Sequence, residues 1–338
     1  MPLNAATAAA RLSIAPMMDW TDRHCRYFHR LMSAHTVLYT EMVTADAVIH
    51  GDRDRLLGFS PQEHPVVLQL GGSDPIKLAE ATRIGADRGY DAINLNCGCP
   101  SDRVQSGTFG AYLMRDPAHV ARLIEAMKGA TDIAVTVKCR IGVDEQDPHK
   151  VLPDFITKVR DAGVDAVIVH ARKAWLEGLS PKENRDVPPL DYGLVLAMKA
   201  AFPALWMGIN GGIATLEDAK ALLDQGMDEV MIGRAAYQTP GDILLHADEL
   251  IFGDPPSTQS RGDVARAMLP YIENHLTKGG RLNQITRHMI GLFSGLPGAR
   301  QWRRILSEGA HLDGAGPDLV LHALSAVESQ ETQKATAA

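Results

Sequence analysis

The chain has 338 residues, of which 45 % are hydrophobic and 22 % are charged, and its formal net charge is −7. This composition is typical of a folded globular protein and excludes collagen-like, low-complexity and wholly disordered chains. No apolar run approaches the roughly 18 residues that a membrane span needs, and the N-terminus lacks the basic and apolar segments of a secretory signal. Four cysteines are too few for a disulfide framework, so we expect free thiols and a cytoplasmic protein that has no membrane partner.

Short β-branched runs alternate with amphipathic segments along most of the chain. The strands are predicted at Leu12–Ala15, Thr36–Thr40, Val66–Leu70, Ala92–Leu95, Ala134–Lys138, Ala166–His170, Leu205–Ile209 and Glu229–Ile232. Helices are predicted at Asp22–Met32, Ala45–His50, Pro75–Asp87, Pro117–Met127, Val151–Asp161, Tyr192–Ala200, Leu216–Asp224 and Pro240–Ile251. Eight βα units in about 250 residues predict an α/β protein built on a closed (β/α)8 TIM barrel, with an open doubly wound sheet as the alternative.

The pattern changes after Phe252, where a polar segment rich in Pro and Ser is followed by helical periodicity alone. Further helices are predicted at Val264–Leu276, Leu282–Phe293, Ala299–Ser307 and Leu319–Val327. We therefore expect a barrel domain at residues 1–253 and a small all-helical domain at 261–328. Residues 261–304 contain eight basic and two acidic side chains, which favours local binding of a polyanion, although a solvated helix face is the alternative.

The catalytic groups of such a barrel lie at the carboxyl ends of its strands. Polar or Gly-rich groups stand at these ends: Pro16-Met17-Met18, Glu41, Gln69, Asn94 to Cys99, Lys138 with Arg140, His170 with Arg172, Asn210-Gly211-Gly212, and Gly233-Arg234. This concentration of chemistry at one end of the predicted barrel indicates an active site there.

Two of these ends predict a phosphate site. The segments Asn210-Gly211-Gly212 and Gly233-Arg234 follow the last two strands, where this fold usually binds phosphate through bare backbone N–H groups. Gln69, Lys138 and His170 offer the hydrogen-bond donors and the cation that a flavin ring needs at its pyrimidine edge. The alternatives are glycines that only turn the chain and a core histidine.

Cys99 follows the fourth strand and is the predicted general acid. A thiol above a flavin can give a proton to carbon while hydride reaches the neighbouring carbon. Cys97 and Cys99 form C-x-C without a second cysteine pair, so we expect no metal site.

Several segments together resemble the tRNA-dihydrouridine synthases of the bacterial A subfamily. They are APMMDWTDRHCR, TEMVTADAV, LQLGGSDP, NLNCGCPSDRVQSGTFGAYLM, TVKCRIGVD, VIVHARKAWLEGLSPKENRDVPPLDY, INGGI, MIGRAAYQTPG and GLFSGLPGARQWRR. The resemblance implies an FMN-binding barrel and a helical tRNA-binding domain that together reduce D-loop uridines, at positions 20 and 20a, with NADPH.

The resemblance also implies roles for single residues. Pro16, Met17 and Met18 would line the flavin, while FMN would be bound by Gln69, Lys138, His170, Asn210, Gly211, Gly212, Gly233 and Arg234. Cys99 would donate the proton and Asn96 would contact the substrate uridine. The tRNA would be contacted by Arg140, Lys182, Arg185, Arg300 and Arg303. Cys97 and Cys139 depart from the family pattern, where Val and Thr are expected, and Cys97 adds a second thiol near Cys99.

Two other functions fit part of the sequence. One is an FMN barrel enzyme of the dihydroorotate dehydrogenase kind acting on a free pyrimidine, which leaves the basic helical segment unexplained. The other is an RNA-binding protein whose barrel has lost its chemistry, which leaves Cys99, Lys138 and His170 unexplained.

Overall fold

The computed structural model describes residues 10–101 and 109–337, with side chains up to residue 330. Eight parallel strands pair in chain order, and β1 pairs with β8, so the sheet closes into a barrel. The strands are β1 (Leu12–Ile14), β2 (Val37–Thr44), β3 (Val66–Gly71), β4 (Ala92–Cys97), β5 (Ala134–Arg140), β6 (Ala166–His170), β7 (Trp206–Asn210) and β8 (Glu229–Ile232). The predicted TIM barrel is confirmed, and the doubly wound alternative is excluded.

Helices alternate with these strands and continue beyond them. In chain order they are α1 (Arg23–Arg30), α2 (Ala45–His50), α3 (Arg53–Leu57), α4 (Pro75–Asp87), α5 (Pro117–Lys128), α6 (Pro148–Asp161), α7 (Tyr192–Ala201), α8 (Leu216–Asp224), α9 (Arg234–Gln238), α10 (Pro240–Leu244), α11 (Arg261–Ala267), α12 (Leu269–Thr277), α13 (Leu282–Met289), α14 (Ala299–Gly309) and α15 (Pro317–Ala337). Short 3-10 turns occur at Pro61–Glu63, Gly110–Arg115 and Glu183–Arg185, and a π-helical turn at Asp248–Phe252. Within the described parts of the chain, no helix is long and apolar enough to cross a membrane.

Three barrel helices begin with the same capping arrangement. In α4, α5 and α6 a proline occupies the first turn, and the preceding aspartate accepts hydrogen bonds from backbone N–H groups of that turn. Proline fits there because its missing N–H would have no partner in a helix anyway. This capping starts α6 at Pro148, three residues before the predicted Val151, because Asp147 supplies the cap.

The barrel strands bury both apolar and polar side chains. Tyr39, Val67, Ile168 and Met231 belong to one buried cluster contributed by different strands. Buried polar side chains include Glu229 at the start of β8, and Gln69 and Asn96 towards the carboxyl ends of β3 and β4. The packed interior therefore supports a polar site at one end of the barrel.

The chain divides into two compact units, which do not coincide with the predicted domain boundaries. The first unit comprises residues 10–19 and 35–233, and the second comprises 20–34 and 234–337. Helix α1 belongs to the second unit because Asp22, its cap, pairs with Arg287 at 2.6 Å and with His288 at 3.1 Å. Trp20 also stacks on Tyr237 with ring centroids 4.4 Å apart. The functional division at 1–253 and 261–328 stays a prediction.

Several helix predictions in the second unit were wrong in extent: the helix predicted over Leu282–Phe293 ends at Met289, and that predicted over Leu319–Val327 is part of the longer α15. The segment predicted as one helix over Val264–Leu276 forms α11 and α12, separated at Met268. Pro270 explains the break, because it has no N–H and its ring clashes with the carbonyl four residues earlier. The predicted helix Pro240–Ile251 ends at Leu244 and is followed by the π-helical turn.

Candidate active site

Hydrogen bonds between side chains link β3, β4 and β5. Gln69 Nε2 donates to Asn94 Oδ1 at 2.8 Å, and Asn94 Nδ2 donates to Thr136 Oγ1 at 2.8 Å. Asn96 Nδ2 donates to Gln69 Oε1 at 2.8 Å. All four residues are buried, and their mutual bonds satisfy groups whose burial would otherwise be unfavourable. The chain fixes the orientation of Gln69 and Asn96; Asn94 and Thr136 had no predicted role.

Asn96 also holds the loop that carries the predicted acid. Its Oδ1 accepts the backbone N–H of Gly98 at 3.1 Å and that of Cys99 at 2.9 Å. The Cys99 thiol donates to Ser101 Oγ at 3.4 Å. Cys99 is partly exposed, whereas the other three cysteines are buried. It is therefore the one thiol of the chain that a substrate can reach.

Cys97 does not act as a second reactive thiol in this arrangement. It faces Cys139 in the register of β4 and β5, and both side chains are fully buried. Burial raises the pKa of Cys97 well above its usual value and that of Cys139 to about 12. Because successive strand residues point to opposite faces, Cys97 lies on the face opposite Asn96. Both departures from the family pattern are therefore accommodated in the protein interior as neutral thiols.

Lys138 places a cation at the end of β5. Its Nζ donates to Asn210 Oδ1 at 3.0 Å, and Asn210 Nδ2 donates to the carbonyl of Met231 at 2.8 Å. Burial of the ammonium group, together with the charge of Arg140, lowers the pKa of Lys138 to about 8. The side chain is therefore mostly charged at pH 7 and loses its charge near pH 8.

His170, at the end of β6, has a buried ring nitrogen that lacks a partner. Its Nε2 makes no hydrogen bond to any of the described residues. Burial, with Arg140 and Lys138 next in importance, holds the pKa of His170 well below its usual range, so the ring is neutral at pH 7. An unsatisfied buried polar group costs about 1–3 kcal/mol. A bound ligand that offers Nε2 a partner would remove this penalty.

The glycines after β7 keep space open beside that nitrogen. Gly211 and Gly212 have φ angles of +120° and +70°, which disfavour any residue with a Cβ. A Cβ on Gly211 would lie 2.7 Å from His170 Cδ2 and 3.0 Å from its Nε2. On Gly212 it would lie 2.8 Å from Leu190 Cδ1. Both positions therefore require glycine, and both lie between β7 and the amino end of α8.

The ends of β1 and β8 adjoin one another. A Cβ on Gly233 would lie 3.6 Å from Ala15 Cβ and 3.8 Å from Met17 Sδ. Pro16 and Met17 are half-buried and Met18 is 51 % exposed. Arg234 follows Gly233 directly and is the first residue of α9.

These residues fit a flavin mononucleotide. The Nε2 atom of His170, the ammonium of Lys138 and the amide of Gln69 would provide polar contacts for an isoalloxazine ring. The glycine backbone at Gly211 and Gly212, before α8, would suit a phosphate. Met17 adds an apolar surface.

Arg140, for which the family resemblance implies a contact with tRNA, is buried among backbone carbonyls. The side chain is 3 % exposed. Its Nε donates to the carbonyl of Gly98 at 3.2 Å, and its Nη1 donates to the carbonyls of Lys173 at 3.1 Å and Asn184 at 2.8 Å. These bonds fix the plane of the guanidinium group.

Lys182 and Arg185 are exposed on the loop between β6 and α7. Asn184, which lies between them, is fully buried. Its Oδ1 accepts the N–H of Trp175 at 2.7 Å, and its Nδ2 donates to the carbonyl of Trp175 at 2.8 Å. Asn184 thus orders the loop and leaves both cations facing solvent. No pattern in the sequence distinguishes this asparagine from the polar residues around it.

Arg300 and Arg303 are exposed on α14, while Trp302 is fully buried and donates to the carbonyl of Met289 at 2.9 Å. The second unit also contains a groove of about 610 Å³, whose lining includes Arg287, Arg303 and His311. Among the described residues, no aspartate or glutamate lines this groove. Of its two arginines, Arg287 pairs with Asp22 at 2.6 Å.

Comparison with known proteins finds a matching family and similar chains. The dihydrouridine synthase (Dus) family matches residues 13–329. A protein of Shewanella oneidensis named tRNA-dihydrouridine(20/20a) synthase is 58 % identical over 317 residues, which cover 94 % of each chain. Proteins of the same name from Escherichia coli K12 and Vibrio cholerae are 58 % and 54 % identical, over 94 % and 96 % of this chain and 92 % and 99 % of their own.

Proposed function

The chain belongs to the dihydrouridine synthase family, and on this basis we propose that it reduces uridine to 5,6-dihydrouridine in the D-loop of tRNA, at positions 20 and 20a. One observation gives this proposal its main support. The partly exposed Cys99 is held by Asn96 at the same barrel end as the partnerless nitrogen of His170. The proposed proton donor and the proposed cofactor site thus share one barrel end.

FMN is the proposed cofactor. Gln69, Lys138 and His170 would contact its ring, and Asn210, Gly211 and Gly212 would contact its phosphate end. The family pattern adds Pro16, Met17, Met18, Gly233 and Arg234. FMN, reduced by NADPH, would supply the hydride that adds to C6 of uridine.

Cys99 would supply the proton. Addition of hydride to C6 leaves negative charge at C5, and a thiol within reach can neutralise it by protonating C5. The bonds from Asn96 Oδ1 to the N–H groups of Gly98 and Cys99 hold the thiol in place. The resulting thiolate would regain its proton from solvent, so the donor is ready for the next substrate.

The substrate uridine would have to leave its stack in the tRNA to meet this site. Exposed cations at Lys182, Arg185, Arg300 and Arg303 would bind phosphates of the tRNA. Because both tRNA and NADPH are cytoplasmic, the protein would act in the cytoplasm.

The proposal is tested by incubating the purified protein with NADPH and a tRNA that carries uridine at positions 20 and 20a. We expect dihydrouridine at these positions, detected by mass spectrometry of nuclease fragments. Cys99→Ala should take up hydride from NADPH yet modify tRNA about two to four orders of magnitude more slowly. Reduction of free uridine monophosphate or dihydroorotate oxidation, with tRNA untouched, would instead support the free-pyrimidine alternative.

A further inference from the structure

Arg140 joins two loops that follow different strands. It is the last residue of β5, with β4 on one side and β6 on the other. Its Nε binds the carbonyl of Gly98, directly before Cys99. Its Nη1 binds the carbonyl of Asn184, between Lys182 and Arg185. The same guanidinium therefore touches the loop of the proton donor and the loop with the two exposed cations.

The geometry requires arginine. A guanidinium presents five donors in a fixed plane, whereas a lysine ammonium is a single point on a flexible stem. The carbonyls of Gly98, Lys173 and Asn184 surround Arg140 within 3.2 Å of its nitrogens. Burial lowers the pKa of Arg140 only to about 10, so it stays charged at pH 7. Charged hydrogen bonds of this kind are about twice as strong as neutral ones.

We propose that Arg140 is a positioning residue for the reaction, which holds the Cys99 loop against the loop of Lys182 and Arg185 and does not itself bind tRNA. The inference rests on the proposed function. It replaces the contact with tRNA that the family resemblance implies for Arg140, since its Nε and Nη1 already donate to protein carbonyls and its surface is almost fully covered.

The loop after β6 has other anchors, so loss of Arg140 should not unfold it. The N–H of Leu176 donates to Asp144 Oδ1 at 2.8 Å, and the N–H of Ala174 donates to the carbonyl of Gly142 at 2.9 Å. The Cys99 loop retains its bonds to Asn96. The Arg140 variants should therefore fold, with the relative position of the two loops loosened.

The test compares full-length, flavin-loaded wild type with Arg140→Lys and Arg140→Gln, and with Arg83→Gln, which removes one exposed charge from α4. We expect both Arg140 variants to lower the single-turnover rate at saturating tRNA by about tenfold or more, because small displacements of a catalytic group are costly. The salt dependence of tRNA binding should stay that of wild type. In a Cys99→Ala background, Arg140→Lys should add less than about a twofold further loss, since it acts through that thiol.

Hydrogen exchange of the peptide containing residues 96–101 supplies a readout that does not depend on turnover. It should quicken in both Arg140 variants and not in Arg83→Gln. An unchanged single-turnover rate, unchanged exchange, or an equal loss in the Cys99→Ala background would overturn the inference. A salt slope lower by about one for Arg140→Gln would assign Arg140 to a phosphate instead. Absence of tRNA reduction by wild type would refute the proposed function, while hydrogen exchange would still decide whether Arg140 holds the loop.

Discussion

Single residues of the site differ in how far the sequence predicted them. Positions at strand ends pointed to Gln69, Lys138 and His170, because this fold gathers chemistry there. The sequence could not show that Arg140 is buried, since its partners are backbone carbonyls of two distant loops. It also could not show that Cys97 lies in the interior rather than beside the Cys99 thiol.

Lys138 provides a direct test of the cofactor site. Replacing it by alanine removes the ammonium group that lies beside Asn210. We expect Lys138→Ala to retain less FMN on purification and to be reduced more slowly by NADPH. Visible absorbance and stopped-flow reduction measure both effects, with the exposed Lys158→Ala on α6 as control. Wild-type absorbance and reduction rate in Lys138→Ala would remove Lys138 from the flavin site.

Glu229, at the start of β8, predicts a pH dependence of stability. Burial raises its pKa to about 7, against 4.5 for the free group, although a bond from Ser13 opposes the shift. Between pH 4.5 and 7 the folded state therefore keeps a proton that the unfolded state releases. The protonated Glu229 contributes to the free energy of unfolding at low pH, and this contribution is lost as the pH rises from 4.5 to 7. The contribution amounts to at most about 3 kcal/mol.

Glu229→Gln keeps the shape of the protonated side chain and does not titrate. We expect its melting temperature, relative to wild type, to be higher at pH 8 than at pH 5, as measured by calorimetry. Glu80→Gln, at an exposed position of α4, should show no such change. A difference between Glu229→Gln and wild type that is the same at both pH values would argue against a buried, protonated Glu229.

At the scale of elements, periodicity predicted the alternation of strands and helices well and their ends less well. Strands β4 and β5 run two residues beyond their predicted ends, because polar Asn96 and Arg140 still pair in the ladder. Pro270 indicates the break between α11 and α12, but the periodicity predicts one helix across it. Hydrophobic patterns show which residues are buried but not where the hydrogen bonding stops.

Two arginines of helix α14 allow a test of tRNA binding. Trp302 faces the interior while Arg300 and Arg303 face solvent. Replacing both arginines by alanine should weaken tRNA binding and lower its salt slope by about one for each phosphate that the variant no longer binds. Reduction of the flavin by NADPH should be unaffected.

The matched control for α14 is Lys158→Ala with Lys220→Ala, which removes two exposed charges from α6 and α8 of the barrel. Titrations of tRNA at several salt concentrations compare the pairs. Wild-type affinity and slope in the Arg300 and Arg303 variant would identify the basic cluster as a solvated helix face.

At the scale of the whole molecule, the barrel was predictable and the grouping into units was not. Eight strands at regular spacing leave few alternatives to a closed parallel barrel. The place of α1 in the second unit depends on Asp22 and Arg287, which lie 265 positions apart in the chain. Side-chain pairs at such separations leave no periodic signal in one sequence.

The proposed function is decided best by a map of dihydrouridine in tRNA from cells lacking this protein. We predict that dihydrouridine disappears at positions 20 and 20a, that expression of the wild type restores it, and that expression of Cys99→Ala at the same level does not. Dihydrouridine at both positions in the deleted cells, or full restoration by Cys99→Ala, would contradict the proposed reaction.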